Sequence, residues 1–224
     1  NFNYTGADYR GGLGEQIFGN TWHKERGQSH YGSNHGMGSR LTPDVSAADH
    51  PILKGVRQIH AYSGAYKSQS PVGAVPLLEV QVLNTFHASD DINTEKPIVN
   101  AGWTLDSYVA PSGAKKQARV VYASYGASED LLSEDGRRFL VNACLWAGGW
   151  EKKIKANLNV DIVGGYAPTP YNNGISIAGV KPEELAGWET QVMPKDAQFG
   201  SLDNPAMVKK YGRVLKNRPE LRAR

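Results

Sequence analysis

Two adjacent carboxylates, Glu129 and Asp130, follow a run of apolar and β-branched residues at 118–125 that stops at Gly126. The run predicts a strand. A helical apolar pattern begins shortly after the two acids, so we predict a strand that turns sharply into a helix. Ligands of α/β folds bind outside the carboxyl ends of strands, where carboxylates can transfer protons or hold hydroxyl groups. The alternative is a structural role, because acidic side chains also stabilise the start of a helix.

Histidines crowd a glycine-rich segment near the start of the chain: His23, His30 and His35. Together with downstream side chains, these histidines could supply enough ligands for a divalent metal. The further candidate ligands are Asp44, Asp49 and His50. The intervals between the first three match no compact zinc motif, so we predict no metal and no other resident cofactor. The alternative is that these histidines line a pocket and handle protons, which makes Glu129, His30 and His35 the catalytic candidates.

Aromatic side chains in the same two regions suit a carbohydrate ligand, because sugar C–H faces stack on flat rings while sugar hydroxyls seek polar groups. The predicted substrate-binding residues are Trp22, His23, Tyr31, Tyr125 and Asp130. Tyr9 and Trp103 are further aromatic candidates. For each ring the alternative is ordinary packing in the core.

Composition excludes several classes of function. The 224 residues carry a net charge of +3, which is too small to indicate nucleic-acid binding, and a single cysteine, which excludes an internal disulfide and a cysteine-rich zinc site. No run approaches the roughly 18 apolar residues of a membrane span. Glycine-rich dinucleotide and phosphate motifs are absent, as are the HExxH and GxSxG motifs. The sequence therefore predicts a globular protein without a nucleotide cofactor.

Apolar periodicity predicts the main elements. Strands are expected at 75–84, 97–103 and 118–125, and the last is apolar enough to be buried on both faces. Residues 111–117 are expected to form an exposed turn. A short helix is predicted around 13–18, and a longer one over 133–147, with Ser133 as its cap and Gly148–Gly149 at its end. The predicted buried face of the longer helix comprises Phe139, Leu140, Ala143, Cys144 and Ala147.

Changes in composition predict three regions. Residues 1–150 are expected to form an α/β domain, and 151–194 a proline- and glycine-rich arm packed on it. Residues 195–224 are expected to form a basic tail with a short helix that starts at Asn204 and Pro205. We expect residues 151–224 to be the region that contacts a protein partner or a second copy of the chain. An anionic surface is a further candidate partner for the tail.

Several stretches together resemble one family. They are "ADHPILKGV" (48–56), the long segment 119–170 and "GVKPEELA" (179–186), with a further similarity at 18–36. They are similar to the ThuA-like (trehalose utilisation) domain, in the version found in secreted planctomycete-type proteins, and the similarity covers about residues 10–190. This resemblance implies an α/β, flavodoxin-like three-layer sandwich of the class I glutamine amidotransferase-like type. It also implies a role in sugar metabolism and a periplasmic or secreted location.

Two departures from the family pattern bear on function. A complete domain of this type starts with further β-α-β units, so we expect the N-terminal part of the domain to lie upstream of this chain. Many members also carry a Gly-His pair at the strand-to-helix turn, where this chain has Gly126-Ala127. Alanine has no proton to transfer, which leaves two hypotheses open. One is hydrolysis or isomerisation of a sugar derivative, and the other is a non-catalytic accessory subunit.

Overall fold

The computed structural model describes residues 14–18, 30–31, 37–68, 70–85, 87–110 and 112–164, together with 166 and 168. The chain divides into two compact units, 1–160 and 161–224, and every described helix and strand lies in the first. The predicted basic tail and most of the predicted arm lie outside the described residues, so those boundaries remain predictions.

The structure describes seven β-strands in the first unit. Five of them form one sheet in the spatial order β3-β2-β5-β6-β7, and β1 pairs with β4 in a separate two-stranded ladder. The strands are β1 (His30–Tyr31), β2 (Ser39–Pro43), β3 (Ile59–Ala61), β4 (Ala65–Tyr66), β5 (Val75–Val82), β6 (Val99–Val109) and β7 (Lys115–Ala123). All described strand pairs are antiparallel. The predicted strands are therefore present. With the helix that follows them, they give the described region a mixed α/β character.

The α-helix α1 (Glu134–Ala147) follows the sheet, as predicted. The Ser133 hydroxyl caps it by accepting a hydrogen bond from the Gly136 amide. After the helix, Gly149 takes a φ of 79°, a left-handed conformation that glycine adopts readily. Short helical turns surround these elements: Gly14–Phe18, Val45–Ala47, Pro51–Leu53, Ser128–Leu132 and Glu151–Lys153.

The core lies between α1 and the sheet. Phe139 and Ala143 of α1 are buried in one apolar cluster with residues of β2, β3 and β5, among them Leu41, Ile59 and Val80. A second contact lies within the sheet, where buried Trp103 of β6 stacks on its cross-strand partner Tyr122 of β7 with ring centroids 4.0 Å apart. The Trp103 indole N–H donates to the Phe18 carbonyl at 3.0 Å, which ties the Gly14–Phe18 turn to the sheet. Trp103 is therefore a core residue.

The strand predicted at 118–125 is present, but its predicted burial on both faces is wrong. It belongs to β7, which pairs only with β6 among the described strands and therefore forms an edge of the sheet. Only Val120 of its nine residues is buried. Val121 packs against the main core, and Tyr122 stacks on its cross-strand partner Trp103 of β6. The expected exposed turn is shorter than 111–117, because residues 115–117 already belong to β7.

The buried face of α1 also differs from the predicted one. Leu140 is 49 % exposed, and Cys144 and Ala147 are exposed as well, so the prediction of a buried Cys144 is wrong. Polar residues take these buried places: Asp135, Arg138 and Asn142 lie beside Phe139 and Ala143. Apolar periodicity missed this face because the segments that α1 covers offer backbone amides and carbonyls, which need polar partners.

A histidine sets the start of the turn before β3. The Nδ1 atom of His50 accepts a hydrogen bond from the Ile52 amide at 3.2 Å and so caps the Pro51–Leu53 turn. Its ring lies 5.4 Å from the Trp146 ring. Partial burial lowers the pKa of His50 below its ordinary value of 6.5.

Acid should therefore weaken the fold through His50. Because its pKa is lower in the folded state, its contribution to stability is complete above about pH 6.5 and is lost as the pH falls towards the folded-state pKa. We expect His50→Asn, which keeps an acceptor and cannot titrate there, to reduce the loss of melting temperature between pH 7.5 and 5.5. His50→Ala should cost about 1 kcal/mol at pH 7.5 because the cap is lost. Equal pH dependence in wild type and His50→Asn would contradict this role.

Candidate functional site

The strand-to-helix corner begins where β7 ends. The Ser124 amide donates to the Ala101 carbonyl at 2.8 Å, and the Ser124 carbonyl accepts from the Tyr66 amide of β4 at 3.0 Å. The next turn needs Gly126, whose φ of 143° is rare for residues with a side chain. The Ser128–Leu132 turn then leads to Ser133 and α1. The predicted corner is thus a hydrogen-bonded junction between β7, β4 and α1.

Asp130 lies at the centre of this corner and is fully buried. One carboxylate oxygen accepts from the Ser63 amide at 3.0 Å. The other accepts from the Ser63 hydroxyl at 2.8 Å and from the amides of Gly126 and Ala127 at 3.1 and 2.9 Å. These four donors supply the hydrogen bonds that a carboxylate needs when it is buried away from water. The contact also joins two segments 67 residues apart in the sequence.

Burial raises the pKa of two ionisable groups at this corner. It raises the pKa of the Asp130 carboxyl above its ordinary value, and the hydrogen bonds from Ser63, Gly126 and Ala127 offset part of that rise. Burial, with a smaller effect of the Asp130 charge, also raises the pKa of the Tyr125 phenol. Tyr125 therefore stays protonated at neutral pH and packs in tilted contact with Phe139.

Glu129 is buried as well, with only 2 % of its surface exposed. Adjacent side chains usually diverge on a helix, so burial of both carboxyl groups depends on the tight turn at Ser128–Leu132. The corner as described therefore offers no solvent-exposed carboxylate from this pair. A proton-transfer role for Glu129 would require its carboxyl to reach a ligand inside the corner.

The N-terminal histidine segment reaches this corner through its backbone. In the β1–β4 ladder, His30 is paired with Tyr66 and Tyr31 with Ala65. Tyr66 in turn donates to Ser124, the first residue of the corner. The structure thus brings together His30, Tyr31 and the turn that carries Tyr125, Glu129 and Asp130. The other predicted site residues, Trp22, His23 and His35, lie outside the described residues.

Ser63 is the site residue that sequence reasoning missed. The Ser63-Gly64 pair indicates a turn, and Gly64 does take a positive φ of 79°, but nothing local links it to Asp130. The hydroxyl of Ser133 has a second role of the same kind, since it also accepts from the His60 amide at 3.2 Å. Both contacts are long-range, so neither has a signature in sequence spacing.

The candidate metal ligands that the structure describes do not converge. The Asp44 carboxylate accepts from the Ser46 amide and hydroxyl, and His50 caps its own turn. Among the described residues, no group of three His, Cys, Asp or Glu side chains could hold a metal ion. The same part of the chain contains no helix with the length and apolar content that a membrane span requires.

Comparison with known proteins gives no match: no family model, no curated protein and no solved structure corresponds to this chain.

The geometry assigns Asp130 a positioning role. Its two oxygens are occupied by four donors, so it fixes the corner and the Ser63 turn. We expect Asp130→Ala to destabilise the fold by roughly 3 kcal/mol, because buried donors lose their acceptor. Asp130→Asn should cost less, since its amide oxygen can keep the three donors on one side while its NH₂ group faces the Ser63 amide. Urea denaturation measures both changes.

Asp49→Asn is the matched control, because Asp49 is an exposed carboxylate and should change stability by less than about 0.5 kcal/mol. If the Asp130 variants were no less stable than Asp49→Asn, the positioning role would be disproved.

Proposed function

We propose that the chain is a ThuA-like α/β domain that binds a sugar or glycoside derivative beside the corner at 124–130. The observation that supports this proposal is the ladder that pairs His30 and Tyr31 with β4, which is hydrogen-bonded to Ser124. It brings a histidine- and aromatic-bearing segment to the turn that carries Tyr125. Polar groups next to aromatic rings are the combination that carbohydrates require.

The proposal includes the finer fold that the family resemblance implies. That fold is a flavodoxin-like, class I glutamine amidotransferase-like three-layer sandwich, whose central sheet is mostly parallel. The described strands are all antiparallel. The proposal therefore requires the parallel strands to lie outside the described residues. A periplasmic or secreted location is part of the same proposal.

Binding without catalysis fits the corner better than a reaction does. Asp130 is occupied by structural hydrogen bonds, Glu129 is buried, and Ala127 stands where related domains carry an imidazole. A non-catalytic accessory subunit is accordingly the second candidate function. If the protein does process its ligand by hydrolysis or isomerisation, Glu129, His30 and His35 are the groups that would transfer protons.

Sugar binding can be tested by NMR saturation transfer from the full-length chain to a panel of mono- and disaccharides. We expect at least one to bind, and expect His30→Ala and Tyr31→Ala each to weaken its Kd about tenfold, the equivalent of about 1.4 kcal/mol for one lost contact. Trp150→Ala is the matched aromatic control. Trp150 follows α1, whose 14 residues separate it from the corner by about 21 Å.

Equal weakening by all three variants, or binding that none of them changes, would overturn the assignment of the site. The same samples distinguish the two candidate functions. Conversion of the bound sugar that disappears in Glu129→Gln would indicate an enzyme, whereas binding without conversion would support the accessory role.

A further inference from the structure

A basic and aromatic surface lies just beyond the C-terminal end of α1, at the opposite end of the helix from the corner. We define the lysine–tryptophan patch as Lys54, Trp150, Lys152, Lys153 and Lys155. All five residues are exposed, and Trp150 is 59 % exposed. Exposure of such a large ring is unusual in a fold that buries Trp103 completely.

Backbone contacts hold the patch in place. The Trp150 amide donates to the Leu145 carbonyl at 2.7 Å, directly after the left-handed Gly149. The Glu151–Lys153 turn follows, and buried Ile154 anchors its end in the protein. Because the backbone is fixed on both sides, the tryptophan and the lysines project from a defined turn.

Two contacts gather the side chains into one surface. The Lys153 ammonium lies 5.2 Å from the centre of the Trp150 ring. The Lys54 ammonium, from a distant part of the chain, donates to the Ile154 carbonyl at 3.5 Å. The patch is therefore assembled by the fold from two segments about 100 residues apart.

Glu151, the acidic neighbour of the patch, interacts mainly with Arg119, and the Lys152 charge has the smallest of the effects on the pKa of Glu151. Glu151 is held by Arg119 in a two-point ion pair, with distances of 2.7 and 3.1 Å. This pair lowers the pKa of Glu151 to about 2, so it stays charged and bound to Arg119. None of the four lysines of the patch forms an ion pair with another described residue. The patch thus combines four exposed lysines with one exposed indole, and Lys153 is in contact with the indole ring.

The form of the surface favours a flat partner. Residues 147–150, 152–153 and 155–157 are all exposed, which describes a projecting turn. Small ligands bind in concave sites that bury most of their surface. Clustered lysines are instead attracted to anionic lipid headgroups, and tryptophan favours the interface between headgroups and acyl chains.

We infer that the lysine–tryptophan patch docks the protein on an anionic lipid bilayer. The lysines supply the electrostatic attraction and the Trp150 indole enters the headgroup region. The contact is peripheral and reversible, as expected for four charges and one ring. This inference is independent of the proposed sugar site, which lies at the other end of α1.

Co-sedimentation of the full-length chain with vesicles tests the inference, using vesicles with and without about one third phosphatidylserine. We expect binding only to the anionic vesicles, and weaker binding as salt is raised. The triple variant Lys152→Gln/Lys153→Gln/Lys155→Gln should lower the partition coefficient roughly a hundredfold, about fivefold for each lysine. Trp150→Ala should weaken binding at high salt, where the lysine contribution is screened.

The matched control is Lys96→Gln/Lys115→Gln/Lys116→Gln, which removes the same charge from exposed positions outside the patch. Both triple variants keep the basic residues of 195–224 and lose three positive charges, so they differ only in where the charge is removed. The control therefore measures any attraction that depends on total charge alone. We expect this control to retain most of the binding. Equal loss in the two triple variants would overturn the inference.

A polyanion other than lipid is the remaining possibility for a cationic surface, and heparin-agarose retention tests it. Retention that depends on Lys152, Lys153 and Lys155, without binding to anionic vesicles, would overturn the lipid assignment. Vesicle binding that requires Trp150 would support it.

Discussion

Polar side chains on the buried face of α1 are the contacts on which the rest of the described fold depends. The segments that α1 covers are irregular, so their backbone groups cannot be satisfied by a sheet. Asn142 donates to two carbonyls of the 52–54 segment, and Asp135 accepts from two amides at 57–58. Arg138 reaches the Leu158 carbonyl. A fully apolar helix face would leave these groups, most of them partly buried, without partners, at a cost of about 1 kcal/mol each.

The corner before α1 extends the same principle. Asp130 accepts from the amides of its own turn and from Ser63, while Ser133 both caps the helix and accepts from His60. Strand, turn and helix are therefore fixed to one another by acceptors on a short stretch of chain. A residue with this role is poorly suited to acid–base chemistry, because a change in its protonation would disturb the turn that it holds. The corner is better suited to positioning its neighbours, including Tyr125 and the β1–β4 ladder.

Local patterns predicted α1, its serine cap, its glycine end and the main strands, because these depend on residues close in sequence. The errors concern partners that are far apart. Cys144 was predicted to be buried because it follows the apolar stripe of the helix, whereas the core selects the stripe with Asp135 and Asn142. β7 has the composition of a central strand but lies at an edge. The bond between Ser63 and Asp130 spans 67 residues and has no local signal.

The two ends of α1 differ in a way that bears on function. At the N-terminal end the carboxylates of Asp130 and Asp135 are buried and hydrogen-bonded, as stability requires. Lysines near a C-terminal end are favoured by the helix dipole, and this effect alone would explain Lys152 and Lys153. It does not explain Lys54, which comes from a distant segment, or the exposure of Trp150. An exposed indole gains nothing from the dipole and loses apolar burial. Its place beside lysines that form no ion pair with another described residue is therefore better explained by a partner outside the chain than by the stability of the helix.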